Sequence, residues 1–170
     1  MDFKSKIRTI PDFPKEGILF RDITTLIKDK EAYTALIAQI SDSLKGLNVD
    51  IVIGPEARGF VMGSAVAYAI GAGFVMARKP GKLPWRTKSV EYGLEYGADV
   101  LEVHEDAIQP GQRIALVDDL LATGGTARAT AQLCSEMGGE MVAMRFAIEL
   151  AELNGRGLLE GYDVASMMQF

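Results

Sequence analysis

Residues 113–139 read RIALVDDLLATGGTARATAQLCSEMGG, and this stretch decides how the chain folds. Ile114 to Val117 form a short apolar run suited to a buried parallel strand. From Thr126 to Met137, the residues Ala129, Thr130, Leu133, Cys134 and Met137 fall on one helical face. Between these two segments lie Asp118, Asp119 and a small-residue turn through Ala122, Thr123, Gly124 and Gly125. A strand that ends in the acids, turns, and starts a helix at Thr126 aims several free backbone N–H groups at one spot, which suits a phosphate.

The glycines let backbone approach an anion with no Cβ in the way and allow a positive φ in the turn. Thr123 and Thr126 add hydroxyl donors. The two acids repel a phosphate, so they face sugar hydroxyls, a hydrated divalent cation or the positive charge of a reacting carbon. Phosphate and acids together describe a phosphorylated sugar. The plainer alternative makes Asp118 a strand-end residue and the glycine pair an ordinary turn.

A chain of 170 residues makes one domain, large enough to bury roughly 70% of its unfolded surface around a single core. Apolar residues at 48% and charged residues at 24% are those of a globular protein. The net charge of −5 argues against general affinity for nucleic acid or an anionic membrane. No apolar run approaches about 18 residues, and Met1 to Pro14 does not read as a signal peptide, so a cytoplasmic protein is expected. Cys134, the one cysteine, fits a reducing compartment and a core position.

Outward from the central stretch, Asp2 to Ile10 reads as a short amphipathic helix ended by Pro11 and Pro14. In FPKEGILFRDITTLI (13–27), Phe20 is either core or a flat surface for a purine base. Asp29 caps a helix from Lys30 to Lys45, stopped by Gly46. Val49 to Ile53 is a core strand, followed by GPEARGF and a small-residue helix from Phe60 to Ile70. Arg58 in that loop makes a second anion site, or else Glu56 and Arg58 are both surface charges in a tight turn. Gly71-Ala72-Gly73 follows a helix and precedes a strand, the wrong order for a dinucleotide fingerprint. Phe74 to Ala77 is a strand.

Beyond that strand the cations Arg78, Lys79, Lys82, Arg86 and Lys88 gather among Pro80, Gly81 and Pro84. Such a run is a solvated loop or a lid whose cations meet a polyphosphate. Val90 to Tyr96 and Asp99 to Val103 alternate as a two-stranded ribbon. His104, the only histidine, is expected to be exposed. Met141 to Ile148 is an apolar strand that leaves Leu150 near the carboxyl edge, Asn154 to Gly161 a loop, and Asp163 to Met168 the last strand. Strands alternating with helices imply an α/β fold with a mostly parallel sheet, and ligands bind outside the carboxyl ends of such strands. The loops after Ile53, Val117 and Ile148 should therefore converge.

VDDLLATGGT (117–126) resembles the ribose-phosphate loop of the type I phosphoribosyltransferases, and the ATGGT ending with its surroundings resembles the adenine-using branch of that family. The resemblance runs along almost the whole chain. It implies a single domain over residues 1–170: a twisted, mostly parallel sheet flanked by helices, a small N-terminal hood within residues 1–30 and a flexible two-stranded lid at about 78–104. It further implies transfer of the 5-phosphoribosyl group of phosphoribosyl pyrophosphate to adenine, giving AMP and pyrophosphate in purine salvage, with Mg2+ on the pyrophosphate and a homodimer as the assembly.

By the same resemblance Ala122, Thr123, Gly124, Gly125 and Thr126 take the 5-phosphate, and Asp118 and Asp119 hold the ribose. Arg58 belongs to the pyrophosphate loop, and FRDIT places Leu19, Phe20 and Arg21 at adenine. LEYG makes Glu95 the proton donor to the base with Tyr96 beside it. Arg78, Lys79 and Lys82 approach pyrophosphate, a contribution from a neighbouring subunit being left open, and Leu150 contacts adenine partly through backbone. The metal is held mainly by pyrophosphate and ribose hydroxyls. Trp85 to Lys88 depart from the family pattern and receive no role. Two other readings stand beside this one: another base such as hypoxanthine, guanine, xanthine or orotate, or a non-catalytic sensor of phosphoribosyl pyrophosphate.

Overall fold

The computed structural model describes residues 1–94 and 97–170. Its centre is a five-stranded parallel sheet built from β3 (Ile51–Pro55), β4 (Gly73–Ala77), β7 (Arg113–Leu121), β8 (Glu140–Glu149) and β9 (Val164–Gln169), in the order β4-β3-β7-β8-β9. The parallel pairing is explained by the helices α3 (Arg58–Ile70) and α4 (Gly125–Glu136), which carry the chain back between successive strands. From β3 the chain steps outward to β4, and from β7 it steps the other way to β8 and β9. The reversal leaves a switch point between the carboxyl ends of β3 and β7.

Strand alternation divides the core into two layers. Val52, Ala115, Val117, Ala143 and Ala147 pack with α3 and with α2 (Lys30–Asp42). Ile53, Ile114, Leu116, Met144 and Phe146 pack with the Leu133 and Cys134 face of α4. The small residues of α3 let it come close to the sheet at Gly63, where a Cβ would stand 2.6 Å from the ring of Phe74. Asp29 caps α2 by accepting from the Glu31 and Ala32 N–H groups. Burial pushes the Cys134 thiol up to about 12, as a core cysteine requires.

Three expectations are corrected. Asp2 to Ile10 is not a helix: a short 3-10 turn at Lys4–Lys6 leads into β1 (Arg8–Pro11), which pairs antiparallel with β2 (Leu19–Asp22). The β-branched Thr9 and Ile10 suit a strand once Phe20 and Arg21 lie opposite them, and local periodicity carries no sign of that partner. The acids of the central stretch do not end their strand, because β7 continues to pair with β8 through Leu121 opposite Glu149. His104 is half-buried against Trp85, ring centroids 6.4 Å apart, rather than exposed.

The ribbon forms as β5 (Thr87–Leu94) against β6 (Gly97–His104). Its base belongs to the core. Val90, Leu101 and Val103 are buried on the α4 side, and Arg78 and Glu102 exchange backbone hydrogen bonds of 2.8 and 2.7 Å that splice β6 to the end of β4.

Candidate active site

A cavity of about 250 Å³ opens at the switch point. Arg58, Asp118, Asp119 and the loop Ala122 to Thr126 line it, so eight of the expected site residues meet in one place, together with Glu56 and Phe146. Among the described residues, the N–H groups of Ala122, Thr123 and Gly124 donate to no protein acceptor. Those of Gly125 and Thr126 are first-turn amides of α4, which a helix leaves unsatisfied. The loop is therefore a row of free donors at a helix N-terminus.

Its shape is fixed from outside. Gly124 has φ +86°, and a Cβ there would run into the Gly155 carbonyl, while a Cβ on Gly155 would run into the Ala122 carbonyl. Gly155, on the 3-10 turn Gly155–Leu159, is thus a second determinant of the loop that sequence reading missed. Nothing in its local context marks it, since the neighbour it must clear is distant in the chain.

The two acids occupy different environments. Asp119 is 5% exposed and accepts from Arg58 Nε. Asp118 accepts the Asp119 N–H at 2.8 Å through Oδ1 and keeps part of its surface open to the cavity. Burial, with the neighbouring Asp119 charge adding to it, pushes the Asp118 carboxyl well above its usual range against the pull of Arg58. Gly59 makes room for this acid, for a Cβ there would stand 2.9 Å from Asp118 Oδ1.

The expected pyrophosphate cations lie beside the cavity, already engaged. Arg78 Nη2 reaches Glu56 Oε2 at 3.0 Å, Lys82 Nζ reaches the same oxygen at 3.3 Å, and the Lys79 N–H donates to Glu56 Oε1 at 2.6 Å. Burial alone would raise the Glu56 carboxyl, but the Lys79 N–H, Arg78 and Lys82 outweigh it and hold it below its ordinary value. Lys79 Nζ pairs with Asp99 at 2.8 Å. Glu56 was legible only as a charge in a tight turn, because its partners follow a whole helix and strand later.

Leu19, Phe20 and Arg21 sit on β2 in the N-terminal ribbon and do not line this cavity. Leu19 is exposed, Phe20 meets Phe13 edge-on at 5.1 Å, and Arg21 stacks over Phe170 at 4.3 Å. Leu150 also stands outside the cavity, and its backbone is used within the chain: its N–H donates to Leu121 and its carbonyl accepts from Leu153. Glu95 and Tyr96 lie outside the described residues.

Comparison with known proteins agrees with this geometry. The phosphoribosyl transferase domain model matches residues 24–166. The adenine phosphoribosyltransferase of Alkaliphilus metalliredigens is 62% identical over 170 residues, covering 100% of both chains. The crystal structure of the Thermoanaerobacter pseudethanolicus adenine phosphoribosyltransferase superposes with a TM-score of 0.97 at 51% identity, covering 99% of this chain and 98% of that one. The Saccharomyces cerevisiae enzyme, solved with an imino-altritol bisphosphate and adenine, gives 0.91 at 34% identity, with 98% and 96% covered. Sheet order, cavity and relatives point the same way, and the chain belongs to the adenine phosphoribosyltransferase family.

Proposed function

We propose that the cavity binds phosphoribosyl pyrophosphate and that the chain transfers its 5-phosphoribosyl group to adenine, releasing pyrophosphate and forming AMP for purine salvage. The observation that carries this is the row of free amides from Ala122 to Thr126 beside the Asp118–Asp119 pair. The amides and the Thr123 and Thr126 hydroxyls hold the 5-phosphate. The acids then face the ribose hydroxyls.

The bond from C1 of the ribose to the pyrophosphate oxygen breaks, its electron pair leaving with pyrophosphate, and N9 of adenine supplies the pair for the new bond. The N9 proton passes to solvent water as the new bond forms. Between the two events C1 carries positive charge, which Asp118 and Asp119 stabilise from fixed positions. Arg58 neutralises the leaving group at the cavity, and Arg78, Lys79 and Lys82 do so once they exchange Glu56 and Asp99 for phosphate oxygens. By family resemblance Glu95 presents a proton to N7 of adenine, with Tyr96 beside it, and Leu19, Phe20, Arg21 and Leu150 surround the base.

Mg2+ fits as an ion that arrives with the substrate. By family resemblance pyrophosphate and ribose hydroxyls would hold it, and Asp118 and Asp119 are the nearest carboxylates in the cavity lining, oxygen donors of the kind this hard cation favours. When bound it supplies charge neutralisation to the leaving group. The hood comprises β1 and β2, and the lid the outer half of the ribbon beyond its buried base. A homodimer is supported by the apolar side chains that α3 and the edge strand β4 expose, namely Val61, Tyr68 and Met76. Among the described residues no helix is long and apolar enough to cross a membrane, and the buried free cysteine supports a cytoplasmic location.

The test is pyrophosphate release on mixing each of adenine, hypoxanthine, guanine, xanthine and orotate with phosphoribosyl pyrophosphate and Mg2+. Release with adenine alone is expected. Release with another base and not adenine, or with none, overturns the reading.

A further inference from the structure

The segment from Asn154 to Gly161 reads in the sequence as a loop. In the fold it carries the 3-10 turn Gly155–Leu159, whose first residue is buried and whose backbone is the surface that Ala122 and Gly124 are shaped around. Where Gly155 stands therefore decides where those two backbone units can stand. The far end of the turn is held by Leu159, buried in the α4 layer of the core. The end at Gly155 is held by its neighbour Arg156.

Arg156 engages all three nitrogens of its guanidinium. Nε and Nη2 donate to the two oxygens of Glu149 at 2.7 and 2.8 Å, a two-pronged pairing with a carboxylate at the carboxyl end of β8. Nη1 donates to the Val164 carbonyl at 2.8 Å, and Nη2 also reaches Ser166 Oγ at 3.2 Å, both on β9. The Ser166 hydroxyl sends its own hydrogen to Glu149, so it accepts from the arginine without conflict. Glu149 is 5% exposed. Arg156, with Ser166 and Gln169 adding to it, holds this carboxyl below its ordinary value against the pull of burial. The pair is therefore ionised at neutral pH. From the other side Arg128 on α4 donates to the Leu158 carbonyl at 3.2 Å. The turn is thus fastened both to the sheet that the loop leaves and to the helix that it enters.

We propose that Arg156, through its pairing with Glu149, is a positioning residue of the monoester pocket: it sets Gly155 against Ala122 and Gly124 and so fixes the spacing of the free amides. This rests on the functional reading above. Neither side chain lines the cavity, so their contribution passes through the backbone. Donors held in place bind an anion without reorganising, an advantage lost when the frame behind them loosens.

Isothermal titration of the full-length chain with ribose 5-phosphate, and separately with pyrophosphate and Mg2+, tests it, together with the backbone amide spectrum of the unliganded protein. Arg156→Met keeps most of the side chain's length and removes every hydrogen bond of its head. Its dissociation constant for ribose 5-phosphate should rise about tenfold, as preorganisation is lost. Pyrophosphate binding should move by less than about twofold, and the amide signals of Ala122 to Thr126 should shift. Arg156→Lys keeps a charge beside Glu149 but not the fork. It should show the same pattern with a rise of about threefold, which carries the test where Arg156→Met folds poorly. Adding Glu149→Gln to Arg156→Met should weaken ribose 5-phosphate binding no further, since one pairing is at stake. In turnover the loss should fall on KM for phosphoribosyl pyrophosphate more than on kcat. A lower melting temperature with unchanged ribose 5-phosphate affinity, equal losses for both ligands, or loop amides left unmoved would overturn the assignment while leaving the functional reading intact. Failure of the unaltered chain to bind ribose 5-phosphate would overturn both.

Discussion

The two regions proposed to bind the anions of the substrate flank the same acids and are built on opposite plans. The loop from Ala122 to Thr126 offers backbone donors that, among the described residues, answer to nothing in the protein, in a shape set by Gly124 against Gly155. The segment from Arg78 to Lys82 offers side-chain cations that already answer to Glu56 and Asp99. The first is preorganised, so a phosphate entering it displaces only water. The second must trade partners, so its affinity is a difference between two ion-pair energies and falls with salt. On the proposed binding mode one end of the substrate is therefore anchored and the other is negotiable. That division suits an enzyme that keeps the ribose phosphate and lets pyrophosphate leave.

Between the two regions stand the acids, and the largest effect is expected there. Asp119→Asn keeps the side chain's shape but removes the charge that meets Arg58 and that the proposed mechanism sets against C1. Turnover measured by pyrophosphate release should fall by about a hundredfold or more, with the far-ultraviolet circular dichroism unchanged. A rate near that of the unaltered chain would break the link between the acids and the reacting carbon.

Gly124→Ala is the next test and acts on the anchored end. It forces a Cβ into a left-handed position and against the Gly155 carbonyl. The left-handed conformation alone costs about 1–2 kcal/mol, so the melting temperature should drop and ribose 5-phosphate binding should weaken by at least about tenfold. Glu56→Gln acts on the negotiable end. It removes the charge that holds Arg78 and Lys82, so pyrophosphate should bind about threefold more tightly at low salt, with the gain lost at high salt. Weaker pyrophosphate binding would mean that Glu56 presents these cations to the ligand and does not compete for them.

The smallest effect concerns pH. The Asp118 carboxyl is raised in the folded protein relative to the unfolded chain, so the folded state binds its proton more readily. The acid therefore costs stability at neutral pH, where the unfolded chain ionises it freely; that cost begins to fall as pH drops through the raised folded value and is gone below the ordinary carboxylate value. Asp118→Asn should raise the melting temperature at neutral pH by about 2–4 °C for each kcal/mol relieved, while lowering turnover. The gain should shrink toward low pH. A destabilised variant would show that Arg58 governs this acid more than its burial does.

The anchored region was legible because everything that makes it is contiguous: apolar strand, acids, small-residue turn and helix face follow one another between Arg113 and Gly139. Its boundary was misplaced at Asp118, since the pairing of Leu120 and Leu121 with β8 depends on a strand far along the chain. The negotiable region was half legible. The cations stood out by composition, but Glu56, which holds them, looked like a surface charge. The N-terminal segment was misread for the same reason, as Arg8 to Pro11 became a strand only by meeting Leu19 to Asp22. Gly155 shows the limit most plainly, for it acts on the loop across space and carries no local signature.

The most direct measurement is a nuclear magnetic resonance titration of the chain with ribose 5-phosphate, following the backbone amides. Large downfield shifts confined to Ala122 through Thr126 are the expected result, as free N–H groups gain phosphate acceptors. Amides of that loop left unmoved while the ligand saturates elsewhere would contradict the claim that this row of donors holds the sugar phosphate.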